Sequence, residues 1–476
     1  MDAEKLEHCK IQPSPCSDDQ ELSLSLPLTH FDIPFLLSDP TVRLIFFNSP
    51  TCSKSRFVET IVPQLKKSLA TTLTHFLPLA GKIIIPGAGT TPLSRYVPGD
   101  SVSLTIAQCD KDFEHLTGNH QRSANEFYAC VPHLPPARRM SDDSLVFSVL
   151  ALQITLFPEK GICVGLSNYH VVADESSIIS FLKIWAVVNK SSSSIDLLTI
   201  ADVPDFDRTT LVVRDPGGKL VSRAMEIVKK NSRGNSAVEL SSTTTFPIKT
   251  NRVRVTLVLT DTVIEKMKTY VSVNRPNLSH VSSFTVICAY IWSCSVKSEA
   301  AVGEKTDENE PVCFTTAADC RPRLVPPLPA AYFGNCVVFV IAESMHGLLL
   351  KGNNEGFLIA AESIGKAVRE TLDTSDNDGI LDSADWPVDF ARFDGKRVMS
   401  VAGSPRFDVY EVDFGWGGRA KKYEFAHLDT EKSMSLCKSR EFDGGFEIGL
   451  SRTKLEMDAF QAFFRQGLEI IMRVSA

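Results

Sequence analysis

The sequence predicts an α/β protein built as two domains, and three observations carry the prediction. At 476 residues the chain is too long for one ordinary hydrophobic core. Strand-like and helix-like stretches alternate in both halves. Between the halves, Lys190 to about Gly218 has a linker's composition: serines from Ser191 to Ser194, then Pro204-Asp205-Phe206-Asp207-Arg208 and Asp215-Pro216-Gly217-Gly218. The expected units are residues 1–190, a crossover over 191–218, and residues 219–476.

Composition narrows the function. A hydrophobic content of 43% and a charged content of 22% are those of a globular chain. A net charge of -7 gives no electrostatic reason to expect nucleic acid or an anionic membrane as partner. No run reaches the roughly 20 apolar residues a spanning helix needs. Met1-Asp2-Ala3-Glu4-Lys5 lacks the basic start and apolar core of a signal peptide, so a cytosolic protein is expected. The 12 cysteines are scattered, without a Cys-x-x-Cys pair or zinc-ligand spacing, which predicts reduced thiols and no metal.

Taken in order, Leu22 to Phe47 reads as short strands and turns around His30-Phe31-Asp32-Ile33-Pro34. A core helix follows from Val62, with Leu65, Leu69, Leu73, Phe76 and Leu77 at helical spacing until Pro78-Leu79-Ala80-Gly81. Ser101 to Ile106 and Val146 to Phe157 read as strands. In the second half, Val253 to Leu259 alternates as a strand and Thr262 to Tyr270 as a helix. Ser282-Ser283 offers a cap for a helix through Tyr290 and Trp292. Ser298 to Pro311 is acidic and reads as a solvated loop. A Thr453-x-x-Glu456 capping box opens a last helix with Leu455, Phe460, Phe464 and Leu468. No Gly-x-Gly-x-x-Gly or P-loop is present, which argues against nucleotide chemistry.

The stretch with most chemical content is Ser167-Asn168-Tyr169-His170-Val171-Val172-Ala173-Asp174-Glu175. It lies between the β-prone Gly161–Leu166 and an apolar helical pattern from Ile178 to Ala186, so His170 and Asp174 fall at a strand-to-helix corner. Such a corner holds an imidazole rigidly at the edge of a cleft, where a general base belongs. With ten histidines in the chain, a His-x-x-x-Asp arises by chance about one time in two, so its context must decide.

That context is supplied by Tyr332-Phe333-Gly334-Asn335-Cys336 and Asp413-Phe414-Gly415-Trp416-Gly417. With His170-Val171-Val172-Ala173-Asp174 they resemble, in order and spacing, the motifs of the BAHD acyltransferases, the plant acyl-CoA-dependent family. Phe76 to Lys82, Phe206-Asp207-Arg208 and Asp319-Cys320-Arg321 add to the resemblance, which spans nearly the whole chain. The second motif is typical of the subgroup that acylates anthocyanin, flavonoid and other phenolic glucosides. The resemblance implies two similar-sized chloramphenicol-acetyltransferase-like domains, each a mixed sheet with helices, enclosing a solvent channel. It implies an acyl-CoA donor as co-substrate, a phenolic glucoside acceptor, no cofactor and a monomer.

In that setting His170 is the expected general base. A sugar hydroxyl is too weak an acid to ionise at neutral pH, and imidazole is the side chain with a pKa near neutrality. His170 would take the hydroxyl proton during attack on the thioester and return it to the departing thiolate. An acyl-enzyme lacks a Gly-x-Ser-x-Gly elbow or a cysteine motif. Asp174 has two readings: orienting the ring, or holding the corner by pairing with Arg321, as the family resemblance implies; the second is preferred. Trp416 reads as an oxyanion donor or, preferably, as part of a packed glycine turn with Asp413, Phe414, Gly415 and Gly417. Tyr332 and Phe333 read as turn residues or as acyl-pocket lining. Ser283, Ser400 and Ser404 are candidate CoA contacts.

Two departures from the family pattern bear on substrate. Glu175 stands where Gly is usual, so a positive φ there would strain the corner. Tyr169 stands where many relatives have a second His, and is a candidate to face acyl donor or acceptor together with Glu175. A free carboxylate at Glu175 would repel malonyl, and Cys437 to Gly445 and Pro405 to Asp408 look closer to the aromatic-acyl branch. Hydroxycinnamoyl is therefore expected ahead of malonyl. The alternatives are a catalytically silent binder of CoA esters or phenolics, and an acyltransferase acting on a non-glycosylated alcohol or amine.

Overall fold

The computed structural model describes residues 3–15, 22–87, 91–191, 203–215, 217–231, 250–278, 281–303, 307–372, 397–430 and 432–474. Residues 192–202 and 216 of the expected linker, Ser192–Ser194 among them, fall outside them, as does part of the acidic stretch after Ala301. Among the described residues the strands form three sheets.

A six-stranded sheet runs, in spatial order, Glu4–Ile11, Val102–Gln108, Leu150–Phe157, Gly161–Asn168, Thr41–Asn48 and Lys422–Phe425. It is mixed, because Leu150–Phe157 lies parallel to Val102–Gln108 while the other pairs are antiparallel. Every residue of Leu150–Phe157 and Gly161–Asn168 is buried, which explains their near-continuous apolar sequence. The faces are covered separately. In Thr41–Asn48, Val42, Leu44 and Phe46 join a small cluster with Phe113 and Phe127, while Ile45 and Phe47 join the main core with Leu65, Leu69 and Trp185. That period of two puts Arg43 on the face of the main core.

The seven-stranded sheet runs Val337–Met345, Pro311–Asp319, Arg397–Ala402, Ser433–Lys438, Phe446–Thr453, Arg252–Leu259 and Arg122–Ser123. The helices Asp261–Asn274, Ser283–Ala301, Glu355–Leu372 and Lys454–Val474 contribute to its core. A smaller sheet, with strands Leu24–Pro27, Leu93–Tyr96, Lys82–Ile85, Leu145–Ser148 and Arg138–Arg139, belongs to the first half.

The halves exchange strands. Lys422–Phe425 closes the first sheet and Arg122–Ser123 extends the second. The crossing segments meet at a buried ion pair, Arg122 Nη1 to Glu424 Oε1 at 2.8 Å. Arg254 pairs there with Glu424 at 3.4 Å and with Asp429 at 2.8 Å. Breaking one partner of such a group leaves a charge without compensation in a low-dielectric interior.

Some local expectations need correction. The helix from Val62 ends at Leu73, and Leu77–Ala80 is a separate short helix whose Pro78 sits in its first turn, where the ring is tolerated. Val146 to Phe157 divides into Leu145–Ser148 and Leu150–Phe157, which join different sheets. The Ser283 helix extends to Ala301, so Ser298 is buried within it, and Glu299 is neutralised by Arg397 at 3.0 Å and Lys432 at 3.1 Å. The capping box forms, with Thr453 N donating to Glu456 Oε2 at 2.9 Å, but Leu455 beside it faces solvent. Among the described residues, no helix is long and apolar enough to cross a membrane.

Candidate active site

Gly161–Asn168 ends at a turn of 3-10 helix over His170–Val172, and Asp174 caps the Glu175–Lys190 helix. The Asp174 Oδ1 accepts from Ser177 N and Ser177 Oγ, both at 3.1 Å. This is the ordinary use of Asp at a helix start, where its charge also meets the positive end of the helix dipole.

The half-buried His170 ring stacks on Phe35, with centroids 3.9 Å apart and planes 18° apart. Its Nδ1 is buried with no hydrogen-bond partner among the described residues. Burial lowers the imidazole pKa below its ordinary 6.5; Asp174 and Glu175 act against that shift and Arg43 adds to it. The ring is therefore neutral near pH 7, the form that accepts a proton.

The second half of the chain clamps the corner. Arg321 meets Asp174 with both guanidinium tips, Nη1 to Oδ2 at 2.8 Å and Nη2 to Oδ1 at 3.0 Å. Cys336 N donates to Asp174 Oδ2 at 3.2 Å, and Asp174 N donates to Gly334 O at 3.3 Å. Asn335 Nδ2 donates to His170 O at 3.0 Å and to Val171 O at 3.3 Å. The same amide donates to Asp32 Oδ1 at 2.9 Å, which ties in the segment carrying Phe35. Tyr332 and Phe333 are both buried: Tyr332 Oη pairs with Arg208, and Phe333 packs on Phe76 and Phe206 with centroids 5.6 Å away. The lesser motifs thus converge behind the corner.

Glu175 corrects an expectation. It is the first residue of a right-handed helix and has no positive φ, so no glycine is needed there. Its carboxylate is not free: it pairs with Arg43 of the Thr41–Asn48 strand and accepts from Tyr423 Oη at 2.8 Å. Tyr169, next to the imidazole, packs edge-on to Phe147 with centroids 4.8 Å apart.

The Asp413–Gly417 motif lies elsewhere. Phe414 stacks on Trp416 at 4.7 Å, and the two pack edge-on to Phe47 at 5.5 and 5.4 Å. Asp413 pairs with Lys190 at 2.6 Å, Asn189 Nδ2 donates to Phe414 O at 2.9 Å, and Ser49 Oγ donates to Trp416 O at 3.1 Å. Gly417 has φ 148°, and a Cβ on it would lie 2.7 Å from Asn48 O. Because Asn168 pairs with Thr41 while this motif packs at Phe47 and Asn48, it sits at the far end of the strand from His170. Seven residues at about 3.3 Å each separate the ends by about 23 Å. Trp416 is too far to donate to an oxyanion at His170.

Ser283 begins the second-half helix capped by Ser282, Ser400 lies in the Arg397–Ala402 strand, and Ser404 Oγ accepts from Arg406 N at 3.3 Å. These three are not bonded to the His170 corner. Among the described residues, no group of three or more His, Cys, Asp and Glu side chains is placed to hold a metal.

The sequence reading passed over Arg43, Asp32 and Phe35. Arg43 carried a signal, being a lone charge inside the apolar run Val42-Arg43-Leu44-Ile45-Phe46-Phe47, which implies a buried partner. Asp32 and Phe35 carried none, because their partners are remote in sequence.

With this geometry in place, comparison with known proteins is decisive for family. The Transferase family model matches residues 2–466. The chain is 42% identical to the malonyl-coenzyme:anthocyanin 5-O-glucoside-6'''-O-malonyltransferase of Salvia splendens, over 97% of this chain and 95% of that protein. It is also 42% identical to phenolic glucoside malonyltransferase 1 of Nicotiana tabacum, over 98% of this chain and all of the relative (100%). Identity to coumaroyl-CoA:anthocyanidin 3-O-glucoside-6''-O-coumaroyltransferase 2 of Arabidopsis thaliana is 31%, over 98% and 97% of the two chains. Among solved structures, vinorine synthase superposes with a TM-score of 0.66 at 20% identity, covering 96% of each chain. The two-domain chloramphenicol-acetyltransferase-like fold expected from the sequence is the fold observed. The chain belongs to the BAHD acyl-CoA-dependent acyltransferase family.

Proposed function

We propose that this enzyme moves an acyl group from acyl-CoA to a sugar hydroxyl of an anthocyanin or other phenolic glucoside, with His170 as general base and malonyl as the preferred acyl group. The observation that carries the reading is the imidazole itself: stacked on Phe35, neutral through burial, and fixed through backbone contacts from both halves of the chain. Nε2 takes the hydroxyl proton as the oxygen bonds to the thioester carbon. The tetrahedral intermediate collapses with cleavage of the C–S bond, and the proton passes from Nε2 to the CoA sulfur. Ester and free thiol leave, with His170 neutral again. Asp174 takes no proton, because both of its oxygens are held by Arg321, Ser177 and Cys336.

The order of donors is reversed from the one expected above. The case for an uncharged donor rested on a free carboxylate at Glu175 and on the stretches Cys437 to Gly445 and Pro405 to Asp408, and the first of these grounds falls because that carboxylate is paired with Arg43. The relatives at 40 to 42% identity are malonyltransferases, whereas the coumaroyl enzymes stand at 31 and 32%. The test is thiol release from malonyl-CoA and p-coumaroyl-CoA with an anthocyanin glucoside and its aglycone. Higher kcat/KM with malonyl-CoA, and turnover only with the glucoside, are expected; a preference for p-coumaroyl-CoA would overturn the donor assignment. His170→Ala lowers kcat by about 100- to 10,000-fold, and undiminished turnover would sink the base.

A further inference from the structure

One guanidinium reaches both ends of the catalytic corner. Arg43 Nη1 donates to Asn168 Oδ1 at 2.6 Å, and Asn168 Nδ2 donates to Tyr169 O at 3.2 Å, the carbonyl immediately before His170. On its other side Arg43 Nε donates to Glu175 Oε1 at 3.1 Å and Oε2 at 3.0 Å, at the first residue after Asp174. Tyr423 Oη completes the group on Glu175, from the strand that the second half lends to the first sheet. Arg43 is buried and its partner is largely so, with side chains 1% and 14% exposed.

We propose that Arg43 is a positioning residue for acyl transfer: it grips the His170 corner upstream through Asn168 and downstream through Glu175, and Glu175 cancels its charge beside the imidazole. The proposal rests on His170 being the base. It gives Glu175, anomalous as a replacement for glycine, a definite role: an arginine buried on the core face of this strand needs a counter-charge, and the first turn of the helix supplies it. A lysine at position 43 would not serve, since an ammonium lacks the planar fork that reaches an amide and a carboxylate together.

The electrostatic half has a signature that packing alone cannot give. The charged groups acting on the ring are Asp174, itself paired with Arg321, then Arg43 and Glu175. His427, near Arg43, is uncharged: burial takes its pKa down to about 3. Glu175→Gln leaves Arg43 uncompensated and lowers the His170 pKa; Arg43→Met leaves Glu175 uncompensated and raises it.

The experiment measures the acid limb of kcat/KM and the His170 imidazole titration by NMR, assigned by the signal lost in His170→Ala. Wild type, both single variants and the double variant Arg43→Met with Glu175→Gln are compared. Shifts of about half a pH unit or more in opposite directions are expected from the single variants, with the double variant returning close to the wild-type position. The double variant buries no unpaired charge and remains informative if a single variant fails to fold. Its kcat falls about tenfold with little change in KM, because the grip on Tyr169 is gone. Single-variant shifts of the same sign, or full kcat in the folded double variant, overturn the proposal. A wild-type acid limb that does not follow the His170 titration instead overturns the base assignment, whether or not the imidazole pKa moves in the variants.

Discussion

The two ends of the Thr41–Asn48 strand carry two motifs built on opposite principles. At the Thr41 end, the His170 corner is held by buried charge: Arg321 on Asp174, Arg43 on Glu175, and Asn335 on the backbone carbonyls of His170 and Val171. At the Asn48 end, the Asp413–Gly417 turn is held by aromatic packing on Phe47 and by glycines that admit a close backbone approach. On the proposed function, the difference separates chemistry from architecture. Among the described residues both carboxylates of the corner are paired, whereas the imidazole Nδ1 is buried without a partner. In the glycine turn the Phe414 and Trp416 carbonyls accept from Asn189 and Ser49.

Substitutions at the two ends test that contrast. The largest effect on stability belongs to Arg321→Met, which strands Asp174 in the interior. It costs about 3–5 kcal/mol, read as a lower denaturation midpoint with activity lost in parallel. Gly417→Ala comes next: a left-handed φ and the Asn48 carbonyl both oppose a methyl group, so about 1–3 kcal/mol is lost. Here kcat per folded molecule stays at the wild-type level, and a fall in kcat beyond the folded fraction would break the contrast.

Acid separates the ends more gently. His30 and His427 have pKa values brought down by burial to about 4 and about 3, and that of His170 is lowered too. Each binds a proton more readily in the unfolded chain, so their stabilising contribution is complete above the ordinary 6.5 and is lost as pH falls from there toward 3 to 4. Asp413, whose partial burial is outweighed by Lys190 and Gly415, has its pKa held below its ordinary 3.8, so it titrates only beyond the acid end of the pH 8 to 4 range. Stability measured by denaturant between pH 8 and 4 should be level above about 6.5 and decline below it; a flat profile would contradict the buried neutral histidines. The smallest effect is that of Trp416→Phe, about 1 kcal/mol or less with kcat unchanged, since a phenyl ring still packs on Phe47 and Phe414.

Much of this was legible in the sequence where the rule is local. The strand, turn and helix around His170 followed from apolar periodicity, and the final helix start from Thr453 and Glu456; the capping of the Glu175–Lys190 helix by Asp174 was not read from the sequence. Errors arose where local signals stopped deciding. The acidic character of Ser298 to Pro311 pointed to solvent, yet Glu299 found Arg397 and Lys432 across the fold. Glu175 suggested strain and a free charge, because nothing near it in sequence showed that Arg43 was waiting on an adjacent strand.

The sequence by itself determined the succession of elements, the position of the imidazole at a corner and the family to which the motifs point. The pairing of Arg321 with Asp174 across 147 positions was already implied by the family resemblance. Only the tertiary structure decided what meets Glu175: Arg43 across 132 positions and the Tyr423 hydroxyl across 248. It also decided that each half completes the other's sheet. The physical reason is range. Periodicity, caps and turns act over a few residues and leave their mark on neighbouring letters. A buried charge declares only that it must have a partner, and many residues of opposite sign could fill that role until the fold brings one within reach.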